Sequence, residues 1–181
     1  MVVRRTLTLR SGRTAVVRDA VPADASQWIE NINAIGAERR FILTETFSHT
    51  VEEVERQFRD SNITNVLWLA GEVEGHLVAG ADFRRGHHPK DAHVVSLGIS
   101  VRKEFRGIGL GRAMMEVGLD WARERGVRKV RLGVFATNDP AISLYRALGF
   151  EEEGRLRGEV VIDGMETDEI LMALWLPAAS K

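Results

Sequence analysis

Cysteine is absent from the 181 residues. Disulfides, cysteine-ligated zinc, iron–sulfur clusters and a thiol nucleophile are thereby excluded. The absence fits a reducing compartment, and a cytoplasmic protein is expected. Long apolar runs are also lacking, since none approaches the ~18 residues that suggest a membrane span. The first ten residues alternate polar and apolar side chains and lack the continuous apolar core of a secretory signal. Charge of one sign is missing too. Lys and Arg number 25 against 26 Asp and Glu, for a net charge of -1. Nothing in that balance draws the chain to nucleic acid or to an acidic membrane, and neither is expected as a partner. No repeat, low-complexity tract or Pro/Gly/Ser-rich linker interrupts the chain, whose length suits one domain over residues 1–181.

What is present reads as an ordered series of elements. Residues 6–10 and 14–18 alternate as short strands around a Ser11-Gly12 turn. Ala25, Trp28, Ile29 and Ile32 recur at helical spacing within 22–37. Thr50, with Glu53 three residues on, opens a second helix as a capping box. Residues 66–73 and 76–83 form strands around Glu74-Gly75. In 92–101, Val95, Leu97, Ile99 and Val101 share one strand face. Leu110, Met114, Val117 and Trp121 make one buried stripe of a helix over 109–126. A strand over 127–135 and a short helix over 140–148 follow. In that helix Ala141, Leu144, Tyr145 and Leu148 form the apolar stripe, and Asn138 or Asp139 is the cap. Strands at 150–162 and 168–176 are joined near Asp163-Gly164. The mixture predicts an α/β fold: one mixed, mostly antiparallel sheet of about seven strands flanked by about four helices.

The segment Arg106-Gly107-Ile108-Gly109-Leu110-Gly111-Arg112 ends a strand and opens a helix. The first helical turn carries N–H groups with no intrahelical partner, and the helix dipole adds positive charge there. Glycines let those groups approach a phosphate, and Arg106 and Arg112 can add charge-assisted hydrogen bonds. Short glycine patterns are weak by themselves, so the spacing decides. The P-loop requires Lys-Ser/Thr after its last glycine, whereas Arg112-Ala113 follows Gly111. The dinucleotide fingerprint Gly-x-Gly-x-x-Gly fails at Arg112 when started from Gly107, and at Met114 when started from Gly109.

Arg106-x-x-Gly109-x-Gly111 instead resembles the acetyl-CoA pyrophosphate motif, Arg/Gln-x-x-Gly-x-Gly/Ala, of the GNAT superfamily of N-acetyltransferases. Downstream, the thirteen residues from Asn138 to Phe150 are similar to that family's Asn-x-x-Ala-x-x-Leu-Tyr-x-x-x-Gly-Phe segment. Two motifs in order, a strand apart, are more specific than either alone.

The resemblance implies a GNAT-like fold, acetyl-CoA as acyl donor, and an amine acceptor, with free amino acids or small amines first, a protein N-terminus or lysine second and an amine antibiotic third. It implies that main-chain groups of Leu97, Ile99 and Val101 pair with the pantetheine arm, with Gly98 marking a bulge that opens the sheet. It implies that Arg106, Gly107, Ile108, Gly109, Leu110, Gly111 and Arg112 hold the pyrophosphate and that Asn138 contacts the coenzyme. Tyr145, the single tyrosine, falls on the position that protonates the leaving thiolate. The general base is left open among His93, Ser96, Glu72, Asp82 and Glu45. His87 and His88 point apart in an extended loop without a third ligand, so no metal is expected. A homodimer is an arrangement found among such proteins. A non-catalytic acyl-CoA sensor is the competing class, and the tyrosine argues against it.

Overall fold

The computed structural model describes residues 4–61 and 65–177. Eight strands form one sheet in the order β1-β2-β3-β4-β5-β6-β8-β7. The strands are β1 Arg4–Thr8, β2 Thr14–Asp19, β3 Val66–Val73, β4 His76–Arg85, β5 Val94–Val101, β6 Lys129–Phe135, β7 Glu151–Ile162 and β8 Met165–Trp175. The helices are α1 Ala25–Gly36, α2 Val51–Asp60, α3 Leu110–Glu124 and α4 Asp139–Ala147. All neighbours are antiparallel except β5 and β6.

Boundaries shift where local chemistry competes with the pattern. Residues Pro22–Asp24 form a separate 3₁₀ turn rather than the first turn of α1. β8 begins at Met165, three residues before the polarity pattern placed it, because Asp163 and Gly164 take positive φ of 50° and 81° and turn the chain tightly. Thr50 and Glu53 form the reciprocal capping box of α2.

Each face of the sheet carries helices. α3 lays Leu110, Met114, Val117 and Trp121 onto one face, where they join Val95, Leu97 and Phe83 in the main core. Gly118 lets α3 approach Phe83, since a Cβ there would lie 1.9 Å from the Phe83 ring. On the other face α1 and α2 pack Trp28 and Phe58 against Trp68 of β3, all three rings edge to face at 5.2 to 5.6 Å. Such burial is the main favourable term, about 25 cal/mol per Å² of apolar surface.

The consequential feature lies between β5 and β6. They pair only at Val94–Lys129, Val95–Val130 and Ser96–Arg131. Beyond that point each strand stays bound to its outer neighbour, β5 to β4 as far as Val101 and β6 to β8 as far as Phe135. The sheet therefore forks. The expected bulge at Gly98 is not the cause: β4 and β5 stay in register through it. β6 leaves β5 after Arg131 while remaining paired with β8 along its full length.

Candidate active site

A cavity of about 840 Å³ occupies the fork. Its walls are β5 from Leu97, β6 from Gly133, the loop before α3, and one face of α4. Direction alternates along a strand, so the main-chain groups that face each neighbour are fixed. Arg102 donates its N–H to Val78 on β4. By alternation Ile99 and Val101 turn theirs toward the fork. The Val101 carbonyl accepts a bond of 2.8 Å from Arg106 Nε, which leaves its N–H and both groups of Ile99 on an unpaired edge.

The loop meets the fork at the start of α3. Gly109 is the N-cap residue, with φ 100° and ψ -10°, a conformation that disfavours any side chain. The first ladder bond of α3 runs from Ala113 N–H to the Gly109 carbonyl. The N–H groups of Leu110, Gly111 and Arg112 thus have no intrahelical acceptor. A Cβ built on Gly107 or Gly109 would meet nothing within 4 Å. These glycines border open space that a ligand can fill. Ile108 and Leu110 differ from their neighbours: Leu110 is wholly buried, Ile108 packs against the core, and neither side chain lines the cavity. Only their main chain remains for a ligand.

Arg106 has a more structural setting than its motif position implied. Its guanidinium grips both Glu38 oxygens, Nη1 to Oε2 at 2.7 Å, and lies over the Phe41 ring at 4.5 Å. It ties the end of β5 to the segment between α1 and α2. Arg112 is freer, with one loose contact of 3.9 Å to Glu116, and it lines the cavity together with Arg10. Asn138 caps α4 through a long bond of 3.4 Å from Ala141 N–H, and it also lines the cavity.

Tyr145 lies on α4, its ring buried 5.9 Å from that of Phe150, and it lines the cavity. Burial, with no charged neighbour contributing, pushes its phenol up to about 12. The phenol therefore keeps its proton throughout the neutral range. The α4 stripe is rotated from its expected position: Ile142 and Tyr145 are the buried residues, while Ala141 and Leu144 are partly exposed and border the cavity.

The candidates for a base are scattered. His93 precedes β5 at the closed end of the fork. Glu72 is paired with Arg18 at 3.0 Å on β3, two strands from the fork. Glu45 is paired with Arg39 at 3.2 Å. Ser96 accepts from Arg131 Nε at the base of the fork. Asp82 lies against Gly98, whose Cβ would fall 2.9 Å from Oδ1. Burial raises the Asp82 carboxyl above its usual range, and Arg84 opposes the shift.

Sequence reasoning missed several wall residues. Phe41, Ile42 and Leu43 close one side, and Gly133, Phe135 and Glu169 form another. The apolar cluster at 41–43 had no period to classify it. The β6 and β8 residues become wall only because a parallel pair opens, which is a tertiary event. Among the described residues no group of three or more His, Asp or Glu side chains is placed to hold a metal ion. No described helix is long and apolar enough to cross a membrane.

Comparison with known proteins decides the family. The model of the acetyltransferase (GNAT) family matches residues 33–150. The chain belongs to that family. The match takes in the fork, the loop and α4 together. A mycothiol acetyltransferase of Acidothermus cellulolyticus is 33% identical over 73% of this chain and 43% of its own length. The L-amino acid N-acetyltransferase AaaT of Escherichia coli is 33% identical over 60% of this chain and 65% of its own. The chain thus spans less than two thirds of either relative. Among solved structures, a GNAT acetyltransferase from Streptococcus pneumoniae superposes with a TM-score of 0.84 at 25% identity, covering 90% of this chain and 99% of that one.

Proposed function

We propose that this protein transfers an acetyl group from acetyl-CoA directly to the primary amine of an amino acid or other small molecule. The observation that carries the proposal is continuity. An anion-binding helix N-terminus, a free strand edge and a buried phenol line one cavity. A nucleotide diphosphate followed by an amide-bearing arm and a thioester presents its groups in that order.

In this reading the N–H groups from Gly109 to Arg112 receive the pyrophosphate, with Arg112 adding charge. Gly107 and Gly111 allow close approach, and Ile108 and Leu110 anchor the loop through the core while offering main-chain contacts. Ile99 and Val101 pair with the pantetheine amides, and Leu97 stands at the base of the fork beside the thioester. A fork-facing N–H near Ile99 polarises the carbonyl. Asn138 touches the coenzyme while capping α4. The uncharged amine forms the C–N bond, the C–S bond breaks, Tyr145 donates its proton to the departing thiolate, and the proton that the nitrogen sheds restores the phenol. Burial keeps the Tyr145 phenol in its protonated, donating form at neutral pH.

Calorimetric titration tests the donor assignment. Coenzyme A should bind, and Gly109→Val should weaken it by at least about tenfold, because a branched side chain blocks the amides and strains the cap. Undiminished binding in the variant, or binding of ATP or NAD with none of coenzyme A, would contradict the assignment.

A further inference from the structure

Two side chains of opposite charge flank the base of the fork on the α1 side of the sheet. Arg131 is the last β6 residue that pairs with β5. Its Nε donates to Ser96 Oγ at 3.2 Å. That bond fixes the plane of an exposed guanidinium and leaves Nη1 and Nη2 without an ion pair among the described residues. Arg84, in the same row across β5, is by contrast neutralised by Asp82 at 2.7 Å. Glu169 sits on β8 opposite Phe135 and lines the cavity, half-buried, also with no ion pair among the described residues.

Gly133 separates the two. It lies two residues from Arg131, hence on the same face and about 6–7 Å along the strand. A Cβ on Gly133 would fall 2.1 Å from Glu169 Oε1. The carboxylate therefore lies across the bare glycine, toward Arg131, at the first open positions of the fork. A half-buried carboxylate and an oriented guanidinium kept apart, neither in an ion pair among the described residues, form a dipolar gap.

We propose that Arg131 and Glu169 clamp an α-amino acid by its main-chain groups, a claim that rests on the acetyl transfer proposed above. The α-carboxylate is received by the two free guanidinium nitrogens in a forked pair. The α-nitrogen donates to Glu169 and is held at the fork beside the thioester. From the bound ammonium one proton passes to solvent before attack. A second leaves as the C–N bond forms, with Glu169 as its first acceptor, and replaces the proton that Tyr145 gives to the thiolate. The amino-acid side chain is left to face Phe135, Ile42 and Leu43, which favours apolar side chains.

The test compares L-leucine with isoamylamine, which is leucine without its carboxylate, in the full chain and in Arg131→Gln and Glu169→Gln. Wild type should prefer leucine in kcat/KM. Arg131→Gln should reduce that preference about 10- to 100-fold, mostly through KM for leucine, as loss of a charged hydrogen-bonded pair implies. Glu169→Gln should raise KM and lower kcat for both amines, and unchanged kinetics in that variant would also overturn the clamp. Calorimetry on protein saturated with coenzyme A should show leucine binding weakened to match. A preference unmoved by Arg131→Gln, or a wild type that favours isoamylamine or binds no leucine, overturns the clamp. The outcomes stay separable. Acetylation of both amines without discrimination sinks the clamp and keeps the transferase. Leucine bound in the presence of coenzyme A but never acetylated keeps the clamp and sinks the transferase.

Discussion

Tyr145 can be followed individually because it is the single tyrosine of the chain. Its phenol is raised to about 12 by burial, against about 10 for an exposed tyrosine. At pH 11 the folded protein should show about one tenth of the phenolate absorbance, and the denatured chain about nine tenths. A folded-state midpoint near 10 would show that the ring is not buried as described. The sign of the linked stability change follows. Below pH 10 both states hold the proton and stability is unaffected. Between pH 10 and 12 the unfolded chain loses it first, so stability falls with rising pH by about 2–3 kcal/mol in total. Tyr145→Phe should abolish that component. The same variant should lower kcat by about 10- to 100-fold while leaving coenzyme A affinity near that of wild type, if the phenol acts as the acid. Wild-type turnover would remove it from the mechanism. Arg106 lines the cavity as its motif position implies, and its guanidinium also binds Glu38 and the Val101 carbonyl. Arg106→Lys should lower stability by about 1–3 kcal/mol in denaturant titration, through loss of the forked pair. No loss would show that the latch contributes nothing.

Elements were legible where periodicity was strong. The α3 stripe and the β5 alternation place their residues in the core as their spacing implied, and the capping box at Thr50 forms as its two residues require. What sequence could not show was partnership. Whether Gly133 is buried core or cavity wall depends on where β6 leaves β5. Likewise Gly118 looks like a weak point in a helix until Phe83 of β4 is seen beneath it. Gly118→Ala should cost about 1–3 kcal/mol, since the added methyl must push α3 off the sheet. A neutral result in chemical denaturation would show that the contact relaxes freely.

At the scale of the molecule the sheet divides the labour. One face carries α3, α4 and the phosphate-ready loop. The other carries α1, α2 and the charged pair at the base of the fork. The fork is the passage between them, and in the direct transfer we propose donor and acceptor would meet there from opposite sides. Family membership fixes the kind of protein, and the fork explains why loop and tyrosine, distant in sequence, serve one cavity. The most direct test incubates the protein with acetyl-CoA and a panel of primary amines, following thiol release together with the mass of the amine. Direct acetyl transfer requires thiol release matched one for one by an N-acetylated amine. Coenzyme A that binds without acetyl transfer to any amine would make the protein a sensor and contradict it.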